Sequence, residues 1–223
     1  MTQVGTRESR VLELDSRNLL AAGPQEYNTV LAMQQEIHRE VVLGSRASTI
    51  ILLEHEPVFT AGKRTEFHER PLSALPNSTP VIDVDRGGKI TWHGPGQLIG
   101  YPILKLRNPQ ELVGYVRALE SGIIEILEDL GVSGARVPGR SGVWIDGRRK
   151  IAAIGIRVAQ SVTMHGFAIN ANCSLDPFNE IVPCGISDSE VTTISKELGR
   201  DVSIDTIIPH LEKRIFPILE SLI

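Results

Sequence analysis

The stretch GVWIDGRRKIAAIGIRV, at residues 142–158, constrains the fold of this chain more than any other. It places Asp146 and Gly147 between two runs of apolar and β-branched residues. An Asp-Gly pair in that position favours the two-residue turn of a β-hairpin, in which both central residues adopt a positive φ. The sequence therefore predicts two adjacent antiparallel strands, and with them a sheet that the rest of the chain covers.

Other segments supply further strands and the helices that cover them. Short apolar runs bounded by turn residues predict strands at residues 10–14, 48–53, 81–84, 98–106 and 162–173. Apolar residues at helical spacing predict helices at residues 25–43, 109–130 and 204–222. The last of these is expected to start near Pro209 and to bend at Pro217. Residues 55–80 are rich in turn residues, which predicts a long loop. We therefore expect an α+β (mixed α/β) fold, in which a mixed sheet is flanked by helices.

Composition and charge narrow the class of protein. No linker or repeat divides the 223 residues, so we expect a single domain over residues 1–223. A formal net charge of -4 argues against a nucleic-acid partner, because proteins that neutralise many phosphates are usually basic. The longest apolar run, around TIILL, is too short to cross a membrane. With two cysteines and no export signal, we expect no disulfide and a cytoplasmic location.

Small and polar residues are interleaved in DVDRGGKITWHGPGQLIGYPI, at residues 83–103. Glycines and a proline surround Arg86, His93 and Gln97. One interpretation is a hairpin loop that needs glycine for positive φ. Because that leaves the polar residues unexplained, we favour a surface where backbone approaches a ligand closely and side chains bind its polar end. A phosphate-binding P-loop is a competing interpretation, but its Lys-Ser/Thr ending is missing.

Lys150 follows the predicted hairpin turn, in GRRKIAAIGI. Charged residues next to such a turn usually form a solvated rim, and the two arginines before Lys150 are interpreted in this way. Strand alternation would place Lys150 on one face with Ala152, Ile154 and Ile156, where apolar surroundings favour a neutral amine that can act as a base. The local pattern leaves both interpretations of Lys150 open.

Cys184 lies in NEIVPCGISDSEVTTISKELG, at residues 179–199. A lone cysteine is most often a small buried apolar residue, and we assign that role to Cys173. Ser187 and Glu190, however, have the spacing of a capping box before a helix that ends at Gly199. Cys184 would then lie in the turn that enters this helix, where backbone amides favour a thiolate.

Histidine and cysteine side chains also suit a zinc site, for which the candidates are His55, His93, His165 and Cys184. No two of them have the spacing of a zinc motif such as CxxC or HxxxH. We therefore expect no metal and no cofactor.

Four segments together resemble the lipoyl(octanoyl) transferase family in their order and separation. They are RGGKITWHGPGQLIGYP, RKIAAIGIRV, HGFAINAN and IVPCGI. Trp92 stands where that family commonly has another aromatic residue. The resemblance implies a fold like the catalytic domain of biotin and lipoate protein ligases. It also implies an enzyme that moves an octanoyl group from octanoyl-acyl carrier protein to a lysine on lipoyl domains of 2-oxoacid dehydrogenases and on the glycine-cleavage carrier protein.

Carried over to this sequence, the resemblance implies that Cys184 is the nucleophile and Lys150 its acid/base partner. The residues that it places around the acyl group are Arg86, Gly87, Gly88, Lys89, Ile90, Thr91, Trp92, His93, Ala153, Ile154, Gly155, Gly166, Phe167 and Ala168. The main alternative function is an ATP-dependent lipoate or biotin protein ligase of the same fold. An inactive carrier-binding module and a cysteine hydrolase are two further alternatives.

The carrier proteins used by such enzymes are expected to be acidic. Because this chain has a net charge of -4, a complementary charge must be local. We expect a basic rim around the acyl site, formed by Lys63, Arg64, Arg136, Arg140, Arg148 and Arg149.

Overall fold

The structure is a computed structural model that describes residues 14–71, 79–181 and 190–223. Its strands, in chain order, are β1 (Asp15–Asn18), β2 (Thr49–Leu53), β3 (Val58–Ala61), β4 (Val81–Asp83), β5 (Ile90–His93), β6 (Gln97–Ile103), β7 (Ala135–Val137), β8 (Arg140–Ile145), β9 (Arg149–Ala159), β10 (Val162–Asn170) and β11 (Glu190–Val191). Its helices are α1 (Tyr27–Leu43), α2 (Leu112–Leu130), α3 (Ile194–Leu198) and α4 (Ile204–Leu222).

The strands form a larger and a smaller sheet. The larger sheet has the order β1-β2-β6-β10-β9-β8-β7, with β11 paired to β9, and the smaller sheet has the order β4-β3-β5. Both sheets are mixed, since β1 is parallel to β2 and β4 is parallel to β3, whereas β10 is antiparallel to β6 and β3 is antiparallel to β5. The predicted α+β fold, with a mixed sheet flanked by helices, is confirmed.

Strand β2 shows why the larger sheet is covered on both faces. Its sequence TIILL is buried at every position. Ile50 and Leu52 belong to the apolar cluster that includes α2 and α4, whereas Ile51 and Leu53 belong to the cluster that includes α1. Alternate residues of a strand point to opposite faces, so a continuous apolar run needs a helix layer on each side.

The predicted hairpin is formed by β8 and β9. Asp146 and Gly147 have φ of 48° and 75°, the positive values predicted for this turn. The loop is one residue longer than predicted, because Ile145 is opposite Arg149 and residues 146–148 lie between the strands. Beyond the turn the register shifts, because Val143 is opposite Ala152 whereas Trp144 is opposite Lys150. This β-bulge adds one residue to β9, and it changes which side chains of β9 share a face.

Helices α1 and α2 both end at the glycines that the sequence indicates. Gly44 follows α1 with a φ of 73°, and Gly131 follows α2 with a φ of 90°. Glycine adopts this left-handed conformation without strain, which is why it ends helices. Across the parts of the chain that the structure describes, no helix combines the length and the apolar character needed to cross a membrane.

Some element predictions differ from the structure. The loop predicted at residues 55–80 contains β3, and the sequence pattern does not predict β5. Helix α4 begins at Ile204 rather than near Pro209, and both prolines lie inside it. The strand predicted at residues 10–14 lies largely outside the described residues, and β1 begins at Asp15. The bend at Pro217 stays a prediction.

Gly142 lies beside the bulge with a φ of 103°, and a Cβ atom there would be 2.4 Å from the carbonyl oxygen of Ala152. We expect Gly142→Ala to lower the free energy of unfolding by about 3 kcal/mol or more, because a clash is added to an unfavourable φ. Gly139→Ala is the matched control, since Gly139 has a φ of 77° but no atom lies within 4 Å of an added Cβ. Its loss should stay near about 1–2 kcal/mol. Urea denaturation measures both, and equal losses would contradict the importance of the close approach.

Candidate active site

A cavity of about 190 Å³ lies where β9 and β10 meet the segment that leads into β5. Its lining residues are Tyr27, Arg64, Arg86, Gly88, Lys89, Ile90, Thr91, His93, Tyr101, Gly139, Arg140, Ser141, Trp144, Lys150, Ala153, Ile154, Gly155, His165, Gly166, Phe167 and Ala168. Three of the motifs singled out in the sequence therefore converge on one cavity.

Most of the residues predicted to surround an acyl group belong to this lining. They are Arg86, Gly88, Lys89, Ile90, Thr91, His93, Ala153, Ile154, Gly155, Gly166, Phe167 and Ala168, and Lys150 lies among them. Gly87 and Trp92 lie outside the lining. The backbone N–H of Gly87 donates to the carbonyl of Ile156 at 2.9 Å, and the Trp92 ring packs edge-on against Phe178.

Arg86 holds the glycine-containing loop from the inside. Its side chain is buried, and its guanidinium donates to the carbonyl and hydroxyl oxygens of Thr60 at 2.7 and 2.8 Å and to the carbonyl of Lys89 at 2.9 Å. A buried charge is tolerated when hydrogen bonds replace its hydration. Gly88 has a φ of 89°, so the interpretation of a loop that needs positive φ holds at this glycine. The glycine-containing loop that Arg86 holds therefore forms one wall of the cavity.

Two buried histidines, His93 and His55, stand behind this wall. His93 Nδ1 is 2.7 Å from Gln97 Oε1, and His55 Nε2 is 2.8 Å from the hydroxyl of Tyr101. Burial lowers the pKa of His93 to about 3 and the pKa of His55 to about 4. Both rings are consequently neutral at neutral pH.

A chain of hydrogen bonds connects His93 to the backbone of Lys150. Gln97 Nε2 donates to Asn170 Oδ1 at 2.8 Å, and Asn170 Nδ2 donates to the carbonyl of Thr192 at 2.9 Å. The N–H of Thr192 then donates to the carbonyl of Lys150 at 3.0 Å. One set of amide side chains thus fixes β11 and Lys150 relative to the buried histidines.

Lys150 stands over an indole ring. Its Nζ is 4.5 Å from the centre of the Trp144 ring, which is fully buried. A cation is attracted to the face of an aromatic ring. The prediction that Lys150 shares a face with Ala152 is wrong, because the bulge puts Lys150 opposite Trp144 while Ala152 packs in the main core. Ala153 and Gly155 line the cavity with Lys150 instead.

His165 has a φ of 58° within β10, which is uncommon for a residue other than glycine. Its N–H donates to Gln34 Oε1 at 3.0 Å, and its Nε2 is 2.8 Å from Asp85 Oδ1. Burial lowers the pKa of His165, and the Asp85 carboxylate opposes this shift. These contacts on both sides hold a strained residue in the lining of the cavity.

Cys184 and Ser187 lie outside the described residues. The segment that carries them is bounded on one side by Ile181, which packs in an apolar cluster with Trp92, and on the other by β11. In β11, Val191 is opposite Lys150. The described part of the chain therefore resumes at Glu190, one residue before the position opposite Lys150.

The capping box predicted before the following helix is wrong. Glu190 belongs to β11, and α3 begins only at Ile194. Thr193 is its cap, since the Thr193 hydroxyl accepts a hydrogen bond from the N–H of Lys196 at 3.0 Å. Pairing with β9 keeps Glu190 extended. The helix expected to favour a thiolate at Cys184 therefore starts further along the chain.

The structure also tests the roles predicted for the second cysteine and for the candidate zinc ligands. Cys173 is buried, and burial raises the pKa of its thiol to about 12, so its predicted role as a packing residue is confirmed. In the described ranges, no group of three or more histidine, cysteine, aspartate or glutamate side chains is positioned to hold a metal ion.

Several lining residues have no predicted role at the acyl site. They are Tyr27, Arg64, Tyr101, Gly139, Arg140, Ser141, Trp144 and His165. Arg64 and Arg140 were expected only in a basic rim, and His165 only as a zinc candidate. Tyr101 and Trp144 lie in apolar strands, so the sequence predicts that they are buried. It does not predict that they line this cavity. The Pro138-Gly139 pair between β7 and β8 is a turn signal that could have indicated this reversal of the chain.

Comparison with known proteins gives consistent results. The family model of the lipoyl protein ligase A/B catalytic domain matches residues 26–216. A relative from Leifsonia xyli subsp. xyli named octanoyltransferase is 56% identical over 198 residues, which cover 86% of this chain and 87% of the relative. A relative of the same name from Mycobacterium tuberculosis (strain H37Rv) is 52% identical over 205 residues, which cover 91% of this chain and 86% of the relative.

The fold is also similar to that of a solved protein. A structure of a bi-partite lipoate protein ligase and its E2 lipoyl domain from Thermoplasma acidophilum matches with a TM-score of 0.66 and 16% identity, covering 91% of this chain and 84% of that one. At this identity the likeness concerns the fold alone, and it confirms the ligase-like fold that the sequence motifs imply.

The neutral state of His55 predicts how stability depends on pH. Its pKa falls from 6.5 in the unfolded chain to about 4 in the folded protein, so between these pH values the unfolded chain binds a proton that the folded protein does not. The contribution of His55 is fully present above pH 6.5 and is lost as pH falls toward 4. The His55→Gln variant should therefore lose stability less steeply, by up to about 1.4 kcal/mol per pH unit.

The slope of unfolding free energy against pH, measured by urea denaturation between pH 6.5 and 4.5, is the readout. The slope is used because the free energy of unfolding at any single pH also includes the loss of the hydrogen bond between His55 and Tyr101. The control is His68→Gln, because His68 is exposed. Identical slopes for the wild type and His55→Gln would contradict a neutral buried His55.

Proposed function

The chain belongs to the lipoyl(octanoyl) transferase family and carries its lipoyl protein ligase A/B catalytic domain, and we propose that it moves an octanoyl group from octanoyl-acyl carrier protein to a lysine of lipoyl domains. It is an acyltransferase of lipoate biosynthesis. The proposed acceptors are the lipoyl domains of 2-oxoacid dehydrogenases and the glycine-cleavage carrier protein. The observation that carries the proposal is the convergence of the RGG, Lys150 and HGFA segments on one cavity.

The size and lining of the cavity support an octanoyl chain as its occupant. An apolar cavity of about 150 Å³ accepts benzene, so 190 Å³ suits a ligand somewhat larger than six carbons. Ala153, Gly155 and Ala168 add little bulk, and Ile154 and Phe167 supply apolar contact. Burial of the chain would contribute about 0.8 kcal/mol per methylene group.

The first chemical step forms a thioester on Cys184. Lys150 takes the proton of the thiol, and the sulfur attacks the octanoyl carbonyl carbon. The bond from that carbon to the sulfur of the carrier breaks, and the leaving carrier thiolate takes the proton from Lys150, which leaves the Lys150 amine neutral for the second step. The pairing of Val191 with Lys150 supports this step, because it returns the chain to Lys150 soon after Cys184.

The second step transfers the acyl group to the acceptor. The neutral amine of the target lysine attacks the Cys184 thioester, an amide forms, and the Cys184 sulfur leaves. Lys150 takes the proton that the amine loses. Since a thioester is more reactive than an amide, the transfer needs no ATP.

The alternative function is an ATP-dependent lipoate or biotin protein ligase. Its fold would be the same, so the donor distinguishes the two enzymes. Octanoic acid with ATP should give no octanoylated lipoyl domain, whereas octanoyl-acyl carrier protein should give it without ATP. Transfer that required ATP and free acid would favour the ligase.

We also propose a cytoplasmic location for the enzyme. Cys173 is a free buried thiol, as is usual in a reducing compartment.

Cys184 is predicted to carry the acyl intermediate. Mixed with octanoyl-acyl carrier protein and no acceptor, the protein should gain the mass of one octanoyl group, which hydroxylamine should remove. Cys184→Ala should abolish both the adduct and the transfer, and kinetics with both substrates varied should be ping-pong. Cys173→Ala is the matched control and should change little, because the buried Cys173 thiol has a raised pKa of about 12. An adduct on Cys173, seen by peptide mass spectrometry, would contradict the mechanism.

Lys150 is predicted to control acylation by accepting the thiol proton. Lys150→Ala should slow formation of the adduct, and raising the pH should partly restore it, because free thiols ionise near about pH 8.5. Lys150→Arg should not restore the rate at neutral pH, because arginine would place a permanent cation over Trp144 and does not accept a proton. The rate of adduct formation against pH is the measurement. Full activity of Lys150→Arg would show that only the positive charge matters.

A further inference from the structure

The cavity is lined by basic side chains and by no acidic one among the residues that the structure describes. The basic residues are Arg64, Arg86, Lys89, Arg140 and Lys150. A lining of one charge sign concentrates ligands of the opposite sign. The octanoyl chain itself is uncharged, so it does not account for this excess of positive charge.

Three of these basic residues have partners or a role within the protein. Arg86 donates to backbone carbonyls and to Thr60. Lys89 forms an ion pair with the buried carboxylate of Glu69. Lys150 is the proposed base. The charge that remains for a ligand is therefore that of Arg64 and Arg140.

Arg64 and Arg140 are the members of the predicted basic rim that line the cavity. Within the described ranges, neither guanidinium has a hydrogen bond or an ion pair. By contrast, Arg149 pairs with Asp146 and Glu197 at 3.3 and 3.2 Å. The predicted basic rim is thus partly neutralised by the protein's own carboxylates.

The guanidinium of Arg140 is oriented without using its hydrogen-bond donors. Its central carbon is 5.5 Å from the centre of the Trp144 ring, the ring that also lies under Lys150. Contact with an aromatic face leaves the N–H groups of arginine available to an anion. Arg64 is exposed, and its backbone N–H donates to the carbonyl of Gly88 at 3.1 Å, which fixes its position beside the cavity.

We propose that Arg64 and Arg140 bind the phosphodiester group of the phosphopantetheine arm on which the acyl donor is carried. This inference rests on the proposed function, in which the arm must deliver its thioester into the cavity. The arm is uncharged along its length except at this phosphodiester. Arginine suits the group because its planar fork donates two parallel hydrogen bonds to phosphate oxygens.

The test uses two small donors that differ only in the phosphate, octanoyl-pantetheine and octanoyl-4′-phosphopantetheine. The second-order rate constant for acylation of the wild-type protein should be about tenfold higher with the phosphorylated donor at low salt, as expected for charge-assisted hydrogen bonds. This preference should shrink with added salt. In Arg64→Ala/Arg140→Ala the ratio of the two rate constants should fall to near one.

The matched control is Arg17→Ala/Arg39→Ala. It changes the net charge by the same amount at two exposed residues that do not line the cavity, and it should keep the wild-type ratio. The inference is wrong if Arg64→Ala/Arg140→Ala keeps the wild-type ratio of the two rate constants as the control does. It is also wrong if the wild-type protein acylates equally fast with both donors. If neither donor acylates the wild-type protein, while octanoyl-acyl carrier protein also fails to do so, the proposed function itself is wrong.

Discussion

The buried guanidinium of Arg86 is the contact on which the geometry of the cavity depends. It joins β3 to the loop before β5 through Thr60 and Lys89, so the smaller sheet and the loop move as one unit. So large a side chain needs small neighbours. A Cβ on Gly62 would lie 2.5 Å from the carbonyl oxygen of Gly88 and 2.7 Å from an Arg86 nitrogen, and a Cβ on Gly155 would lie 2.9 Å from the Arg86 Cδ. Two glycines far apart in the sequence thus make room for Arg86 and for the backbone of its loop.

The same arginine helps to keep the neighbouring histidines uncharged. Burial is the main reason for the low pKa of His93, and the positive charge of Arg86 acts in the same direction. The neutral ring already has a partner at each nitrogen, because Gln97 Oε1 accepts a hydrogen bond from His93 Nδ1 and the Thr60 hydroxyl lies 3.2 Å from Nε2. A charge on this ring would therefore gain no further hydrogen bond to replace its lost hydration. An apolar ligand that displaces water from a neutral imidazole costs less free energy than one that displaces water from a charged imidazole. Under the proposed function, the octanoyl chain therefore lies against polar groups whose hydrogen bonds are made within the protein.

Local pattern predicted the hairpin, the buried strand β2 and the helix α2, because each is specified by residues adjacent in sequence. It did not predict β3 and β5, since each is four residues long and is stabilised by pairing with the other. The bulge at Trp144 and the pairing of Glu190 with β9 also depend on contacts distant in sequence. The motifs located most of the cavity lining. Arg140 was assigned only to the rim, because the Pro138-Gly139 turn before it indicates a reversal of the chain but not the cavity toward which that reversal points.

The fold alone does not decide between a ligase and a transferase, since both activities need an acyl cavity and a lysine at one end of it. The donor makes the difference. In the proposed transfer the acyl group arrives as a thioester, so the protein needs no site for the triphosphate of a nucleotide. Under the proposed function the basic residues of the cavity have two roles: Lys150 exchanges protons at the reacting thioester, and Arg64 and Arg140 bind the anionic part of the donor. Because Trp144 contacts both Lys150 and Arg140, one indole ring fixes the distance between these two functions.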